Sequence, residues 1–162
     1  ALVSGNAWVN GHAEVYGNAW VYGNARVFGN ARVRGNAIVS GNAWVSGYAL
    51  VYDYAQVSGD TLVSGYAQVS GNALVYGNAL VSGNAWVNGN ATATGLVQSV
   101  TTYKNNITVT DNHIIIGCQC HTIEHWKANI DRIGKDNGYS KQEVKAVKRV
   151  LNGLLSLRKE NS

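Results

Sequence analysis

The 162-residue sequence has no long apolar run, no signal peptide and only two cysteines, and each of these features argues against a class of protein. Without an apolar stretch of about 18 residues or a leader, the chain is not expected to enter a membrane or to be secreted. Its two cysteines, Cys118 and Cys120, stand in a C-x-C arrangement that builds no disulfide framework. These absences predict a cytoplasmic protein.

Charge is scarce in the first part of the chain. Residues 1–97 hold three basic and three acidic side chains, whereas residues 98–162 hold ten basic and six acidic ones and so carry the whole formal charge of +4. Such an excess permits weak binding to phosphate groups. However, no helix-turn-helix, zinc-finger or RNA-binding signature accompanies it, so nucleic acid is not an expected partner.

The sequence is rich instead in a six-residue repeat, Val-x-Gly-Asn-Ala-x in its commonest form, which runs without a gap over residues 3–95. Valine stands at every sixth position from Val3 to Val87, fifteen times. A period of six suits neither an α-helix nor a heptad coiled coil, and it is typical of a parallel β-helix. Because three hexads complete one triangular turn of 18 residues, fifteen hexads predict about five coils.

Side-chain alternation assigns the positions of each hexad. Ala and the Val two residues on, such as Ala7 and Val9, lie on the same side of a short strand, and we expect both to face inward. Residues such as Trp8 then face outward. The Gly-Asn pair is expected to turn each corner, because Gly reaches backbone angles that other residues avoid and Asn tolerates the left-handed region.

These repeats resemble the left-handed parallel β-helix of hexapeptide-repeat proteins, a family that includes acyltransferases and γ-class carbonic anhydrases. The nearly pure GNAxVxG form, followed by a small C-terminal module, is more narrowly similar to GNA-repeat proteins of phages and prophages. The resemblance covers residues 1–97, and it implies a left-handed coil and a homotrimer. It implies little about activity, because chemistry on a scaffold lies in particular sites.

From Gln98 onward the pattern changes, and residues 98–162 are expected to form a capping module of three short strands and two helices. Turn signals at 105–106 and 111–112 separate the three strands of a β-meander. The expected fold class is therefore mainly β. It is a left-handed parallel β-helix of about five coils with a small C-terminal β-meander and a two-helix module.

Capping signals place the two helices. Thr122 is a suitable N-cap for a first helix that ends at Gly134. Ser140 and Glu143 form a capping box for the second helix. The second helix has an apolar side and a lysine-rich side, and we interpret the lysine-rich side as a solvated face.

The outward residues of the repeats include one strip that is more apolar than the rest. An apolar strip on the surface usually marks an interface, although aromatic side chains scattered over a solenoid can also serve cross-strand packing. We expect self-association into a homotrimer. The predicted interface residues are Trp8, Phe28, Trp44, Leu62 and Leu80.

All three arginines of the repeats fall in the second coil, beside three aromatic residues. Arginine next to aromatic rings suits a planar anion such as a nucleotide, through bidentate phosphate contacts and stacking. The alternative is a solubilising patch that is partly paired with Glu14. The predicted ligand-binding residues are Arg26, Arg32, Arg34, Tyr16, Tyr22 and Phe28.

Signals for an enzyme are thin. The resemblance to acyltransferases implies a histidine base and a projecting loop, but His12 is the only histidine of the repeats and no hexad is interrupted. A carbonic anhydrase of this fold needs three histidines around its metal. We therefore assign no catalytic residue and no cofactor, and we keep an acyltransferase-like enzyme with an intersubunit site as the alternative.

One cluster of cysteines and histidines has zinc-ligand chemistry, since two thiols and two imidazoles can hold zinc tetrahedrally. Two features argue against a metal. The C-x-C spacing is tighter than usual, and Thr122 begins a helix between the two imidazoles. We assign no metal and favour a strand-to-helix junction that packs on its first cysteine. The residues of the cluster are Cys118, Cys120, His121 and His125.

A non-catalytic binding protein is the function that these observations favour. Its expected partners are further copies of itself, together with either a host protein or a small anionic ligand such as a nucleotide. A membrane is not an expected partner. The resemblance to phage proteins implies a role in the bacterial host cytosol, as an inhibitor of bacterial defence that sequesters a nucleotide signal or a host protein.

Overall fold

The computed structural model describes residues 1–102 and 104–160, the last two of these by their backbone alone. The repeat region forms sixteen strands of two residues each, fifteen that end on the valine of a hexad and a last one that ends on Ala93. They are β1 (Leu2–Val3), β2 (Trp8–Val9), β3 (Glu14–Val15), β4 (Trp20–Val21), β5 (Arg26–Val27), β6 (Arg32–Val33), β7 (Ile38–Val39), β8 (Trp44–Val45), β9 (Leu50–Val51), β10 (Gln56–Val57), β11 (Leu62–Val63), β12 (Gln68–Val69), β13 (Leu74–Val75), β14 (Leu80–Val81), β15 (Trp86–Val87) and β16 (Thr92–Ala93).

Every third strand pairs in parallel with the strand one coil further on, and the result is three parallel sheets. Sheet A has the order β1-β4-β7-β10-β13-β16, sheet B has β2-β5-β8-β11-β14, and sheet C has β3-β6-β9-β12-β15. The register joins residues 18 apart, as in the pair of Val27 and Val45. The prediction of a parallel solenoid of about five coils is confirmed.

The core of the solenoid consists of the inward Val and Ala positions, as the alternation predicts. From Ala19 to Val87 these side chains are buried, and valine stacks on valine from coil to coil. The first coil is less covered, since Val3 is 44% exposed. One inward position breaks the pattern: the Thr61 side chain is buried, and its hydroxyl has no hydrogen-bond partner within the described part of the chain.

Glycine occupies the corners because of the backbone conformation that they require. The corner glycines have φ between 62° and 78°, and a Cβ on Gly41 would lie only 2.8 Å from the backbone nitrogen of Gly59 in the next coil. Asp53 stands in place of one glycine at φ 59°. Its carboxylate accepts a hydrogen bond of 3.2 Å from the Gly71 amide.

The corner asparagines were expected to adopt the left-handed backbone conformation, but they contribute through their side chains. Asp53 is the only non-glycine with positive φ among the described residues, so that explanation of Asn was wrong. Asn side chains instead bond to one another along a corner. Asn24 donates to Asn42 at 3.1 Å, and Asn42 donates to Asp60 at 2.7 Å.

After the hexads the chain forms a four-stranded antiparallel sheet, one strand more than predicted. The first three strands occupy the predicted segments, and the additional one covers the C-x-C region, which the sequence interpretation had treated as a junction. In chain order the strands are β17 (Gln98–Thr101), β18 (Asn106–Val109), β19 (His113–Ile116) and β20 (Gln119–Thr122).

Polar contacts join this sheet to the last coil of the solenoid. The Thr108 hydroxyl accepts a hydrogen bond of 3.0 Å from the Trp86 amide. The Asp111 amide donates to the Thr92 carbonyl at 3.1 Å, and the Asp111 carboxylate accepts from the Thr94 amide at 2.7 Å. Because backbone groups of the last coil are satisfied in this way, the sheet closes that end of the solenoid.

Two helices follow, α1 (Ile123–Asp136) and α2 (Lys141–Glu160). The predicted N-cap is confirmed, because the Thr122 hydroxyl accepts a hydrogen bond of 3.2 Å from the His125 amide. The capping box of α2 is confirmed as well, since the Ser140 hydroxyl accepts from the Glu143 amide at 3.2 Å and the Glu143 carboxylate accepts from the Ser140 amide at 2.7 Å.

The predicted end of α1 at Gly134 was wrong, because the helix continues to Asp136 and Asn137 caps it. Gly138 is the residue that takes the positive φ after the helix, at 74°. Gly134 is small for another reason, since a Cβ there would lie 2.5 Å from a methyl group of Val144 in α2.

The chain divides into two compact units, Ala1–Cys120 and His121–Ser162.

Candidate functional site

The three arginines of the second coil lie on two adjacent sheets. Arg26 belongs to β5 in sheet B, whereas Arg32 belongs to β6 in sheet C with Arg34 just after it. All three side chains are exposed. The corner between the two strands thus carries a cation on either side, in a solenoid that has little other charge.

Aromatic rings of the following coil hold two of these guanidinium groups. Arg26 lies over the ring of Trp44 at 5.2 Å, and Arg34 lies over the ring of Tyr52 at 4.8 Å. Each contact is worth about 0.5–1 kcal/mol at an exposed site. A guanidinium that stacks by its face keeps its N–H donors at its edge, where a phosphate or carboxylate binds in the plane.

The third arginine is engaged in another way. Arg32 forms an ion pair of 3.2 Å with Glu14, and both side chains are about half exposed (54% and 52%). An exposed pair contributes at most about 1 kcal/mol, so an anionic ligand can compete for Arg32 at little cost.

The aromatic partners differ from the three that were singled out in the sequence. Tyr16 and Tyr22 are exposed, and Phe28 is half-buried with its ring edge-on to Trp44 at 6.1 Å. Sequence reasoning missed Trp44 and Tyr52 as arginine partners. Both stand 18 residues after their arginines, so the period of the coil is the signal that would have found them.

Four of the five residues of the expected interface lie in strands of sheet B, and the fifth, Phe28, directly follows β5 of that sheet. Trp8 and Trp44 are exposed by 65% and 43%, and the other three are half-buried. The register places Arg26 between the two tryptophans, so a cation interrupts the apolar strip. The five residues are Trp8, Phe28, Trp44, Leu62 and Leu80.

A second aromatic group, which the sequence interpretation did not single out, lies at the corner between sheets B and C. Tyr48 and Tyr66 are 53% and 62% exposed, and their rings stack at 5.1 Å with planes only 5° apart. Both replace the corner asparagine of their hexads, one coil apart. The 18-residue period again identifies the pair.

The cysteines of the C-x-C motif differ in exposure. Cys118 is exposed and Cys120 is half-buried, with its thiol donating to the Asn88 carbonyl at 3.3 Å. Burial raises the pKa of the Cys120 thiol, against a backbone hydrogen bond from Asn90 that lowers it. Cys120 is therefore a protonated packing residue at neutral pH, with its side chain close to Gly89.

The two histidines of the same motif stack on each other in the second unit. The rings of His121 and His125 are 4.6 Å apart, and Trp126 meets His121 edge-on at 5.5 Å. Within the described ranges, no group of three or more His, Cys, Asp or Glu side chains is placed to hold a metal ion.

His12, the candidate acyltransferase base, is an exposed corner residue of the first coil. Its amide donates to the Gly29 carbonyl at 2.8 Å, as the asparagine amides do at equivalent corners.

Of the helices that the structure describes, none is both long enough and apolar enough to span a membrane.

Comparison with known families agrees with the coil geometry. The repeats match the family model described as YdcK Beta solenoid repeat, over residues 19–35, 25–40, 31–47, 67–83 and 75–89. No curated protein and no solved structure matches the chain. Stacked parallel coils and matching repeats together identify a β-solenoid repeat protein.

Proposed function

We propose that this protein is a non-catalytic binding protein whose second coil captures a small anion such as a nucleotide. The observation that carries the proposal is the placement of Arg26 and Arg34 over aromatic rings one coil away. Two guanidinium groups are thereby ordered before any ligand arrives, which lowers the entropic cost of binding.

The affinity of such a site depends on how well the ligand covers the arginines. A hydrogen bond to a charged group is worth about 1.5–3 kcal/mol when it is buried, and an exposed contact is worth far less. Two or three buried contacts support micromolar binding. A groove shared between subunits, lined by copies of Arg26 on sheet B, supplies the cover.

We accordingly propose a homotrimer built on sheet B. Trp8 and Trp44 supply the exposed apolar area, and Leu62 and Leu80 continue it along the same strand row. Trp44→Glu should dissociate the trimer and leave the β-sheet spectrum intact, whereas Trp20→Glu on sheet A, a matched exposed tryptophan, should leave the trimer unchanged. Light scattering that finds a wild-type monomer at micromolar concentration would refute this assembly.

Calorimetry with a panel of cyclic and linear nucleotides tests the anion site. Replacing Arg26, Arg32 and Arg34 by Gln should preserve the fold and weaken binding at least tenfold. The matched control removes three exposed cations of α1 and should leave binding within twofold of wild type. If no nucleotide gives heat or a thermal shift, a protein partner replaces the anion. The control residues are Lys127, Arg132 and Lys135.

The biological role that fits this chemistry is sequestration of a nucleotide signal, or of a host protein, in the cytosol of a bacterial host. It follows from the similarity to phage GNA-repeat proteins and makes the protein an inhibitor of bacterial defence. Native mass spectrometry of the protein purified from bacteria tests it directly, because a retained ligand and the oligomeric state appear in one spectrum. A ligand-free protein would oppose tight sequestration.

A further inference from the structure

The two compact units differ in charge. Residues 1–120 hold four basic and four acidic side chains, whereas residues 121–162 hold nine basic and five acidic ones. The whole excess of +4 therefore lies in the helical unit. A surface of this kind attracts polyanions by long-range electrostatics.

Within the helical unit, the excess is arranged as a row on α2. Lys141, Lys145 and Arg149 are exposed and follow one another at four-residue intervals, about 6 Å of helix rise each, so they share one side of the helix. Each like-charged pair at this spacing costs helix stability. Lys141 also lies at the N-terminus of α2, where the helix dipole disfavours a cation.

Acidic residues do not compensate for this row. None of the three cations has an Asp or Glu three or four residues away along α2, and no ion pair joins them to an acid in the described part of the chain. Lys148, another cation of the same helix, behaves differently. It pairs with Asp131 of α1 at 2.7 Å. The row is thus a set of unneutralised charges that weakens its own helix.

The apolar side of α2 is largely covered rather than open to solvent. Val144, Leu151 and Leu154 are buried, and Val144 packs against Gly134 of α1. An amphipathic helix that binds a membrane inserts its apolar face into the lipid, so a helix with this face covered suits a hydrophilic polyanion instead. Phosphates spaced along a strand meet a linear row of cations better than a single compact anion does.

We propose that the row of Lys141, Lys145 and Arg149 contacts the phosphate backbone of nucleic acid, without reading its sequence. The sequence alone favoured a solvated face. The missing acidic partners and the packed apolar side change that interpretation. About three phosphate contacts predict a slope near −2.7 in a plot of log K against log salt, and thus a loss of about 40-fold between 50 and 200 mM salt.

Fluorescence anisotropy of the full chain with a labelled 20-base-pair duplex of random sequence tests the proposal. With the row changed to Gln (K141Q/K145Q/R149Q), affinity at 50 mM salt should fall at least tenfold and the salt slope should approach zero. A variant that keeps the charges (K141R/K145R/R149K) should bind as the wild type does. This second variant separates charge from side-chain identity and from folding.

One control removes the same charge elsewhere in the helical unit and should stay within threefold of wild type: the α1 variant (K127Q/R132Q/K135Q). Equal loss in this variant and in the row variant would mean that net charge acts rather than the row, and would overturn the proposal. So would absence of duplex binding at 100 µM protein, or binding to anionic lipid vesicles without binding to the duplex.

Discussion

The solenoid and the helical unit solve the problem of burial in different ways. In the solenoid, small side chains repeat at the same inward positions, and Val stacks on Val through pairs such as Val27 and Val45. In the helical unit a few large side chains are buried, among them Trp126 of α1 and Leu151 of α2. One region depends on repetition, and the other depends on particular shapes.

Because of this difference, the two regions accept substitutions at different kinds of position. Outward positions of the solenoid carry Trp, Arg, Gln, Leu and Thr in equivalent places, so the coil does not depend on them. Its inward positions and its corner glycines have almost no freedom. The helical unit, in contrast, tolerates an unfavourable feature: α2 carries a row of like charges that lowers its stability, and it remains a helix. Candidate binding residues in both regions lie where the fold does not need them.

The largest expected effect is on the inward stack. Val45 is fully buried between Val27 and Val63, so Val45→Asp places an unpaired charge where no water reaches it. We expect a loss of more than about 4 kcal/mol, which abolishes folding. Ser46→Asp, at the next outward position, should melt within a few degrees of wild type. A soluble Val45→Asp protein with a cooperative thermal transition would contradict the inward assignment.

A pair of glycine substitutions contrasts the two regions with opposite signs. Gly41→Ala should cost more than about 2 kcal/mol, because a positive φ alone costs about 1–2 kcal/mol and the new Cβ meets the backbone of Gly59. Gly153→Ala in α2 should stabilise by about 1 kcal/mol, since this helical position is open and Ala is the better helix former. Chemical denaturation measures both, and equal signs would count against the contrast.

Most of the solenoid could be predicted because each coil repeats the same physical constraint. A single reading of the hexad gave the inward Val and Ala, the corner Gly and the 18-residue coil. The corner asparagines were misread, because residue preference indicates backbone conformation but not a side-chain ladder between coils. The irregular region was harder. The end of α1 was misplaced because Gly134 is small for contact with Val144 rather than for a turn.

The candidate site was predictable in composition and less so in pairing. The arginines of the second coil stand out in the sequence because charge is rare there. Their ring partners, Trp44 and Tyr52, lie in the next coil. To predict these contacts, each arginine has to be paired with the residue 18 positions further along the sequence. Whether an acidic residue neutralises a lysine, as Asp131 does for Lys148, depends on packing between helices and is not readable from one helix.

A smaller effect distinguishes two buried threonines of the first unit. Thr61→Val should stabilise the protein by about 1 kcal/mol, because it keeps the shape and removes a buried hydroxyl that lacks a partner. Thr108→Val should destabilise by about 1 kcal/mol or more, since it deprives the Trp86 amide of its acceptor. Urea unfolding measures both. A destabilised Thr61→Val protein would indicate that the hydroxyl has a partner after all.

The smallest effect concerns two lysines of α2 that differ only in their neighbours. Lys148→Gln should cost less than about 1 kcal/mol, because its pair with Asp131 is exposed to solvent. Lys145→Gln should instead stabilise the helix by about 0.2–0.5 kcal/mol, since it relieves repulsion from Lys141 and Arg149. The two signs, read from thermal melts at low salt, matter more than the magnitudes, and high salt should shrink both. If Lys145→Gln lowered stability as Lys148→Gln does, the row would contribute to the fold, and its charges would need no ligand to account for them.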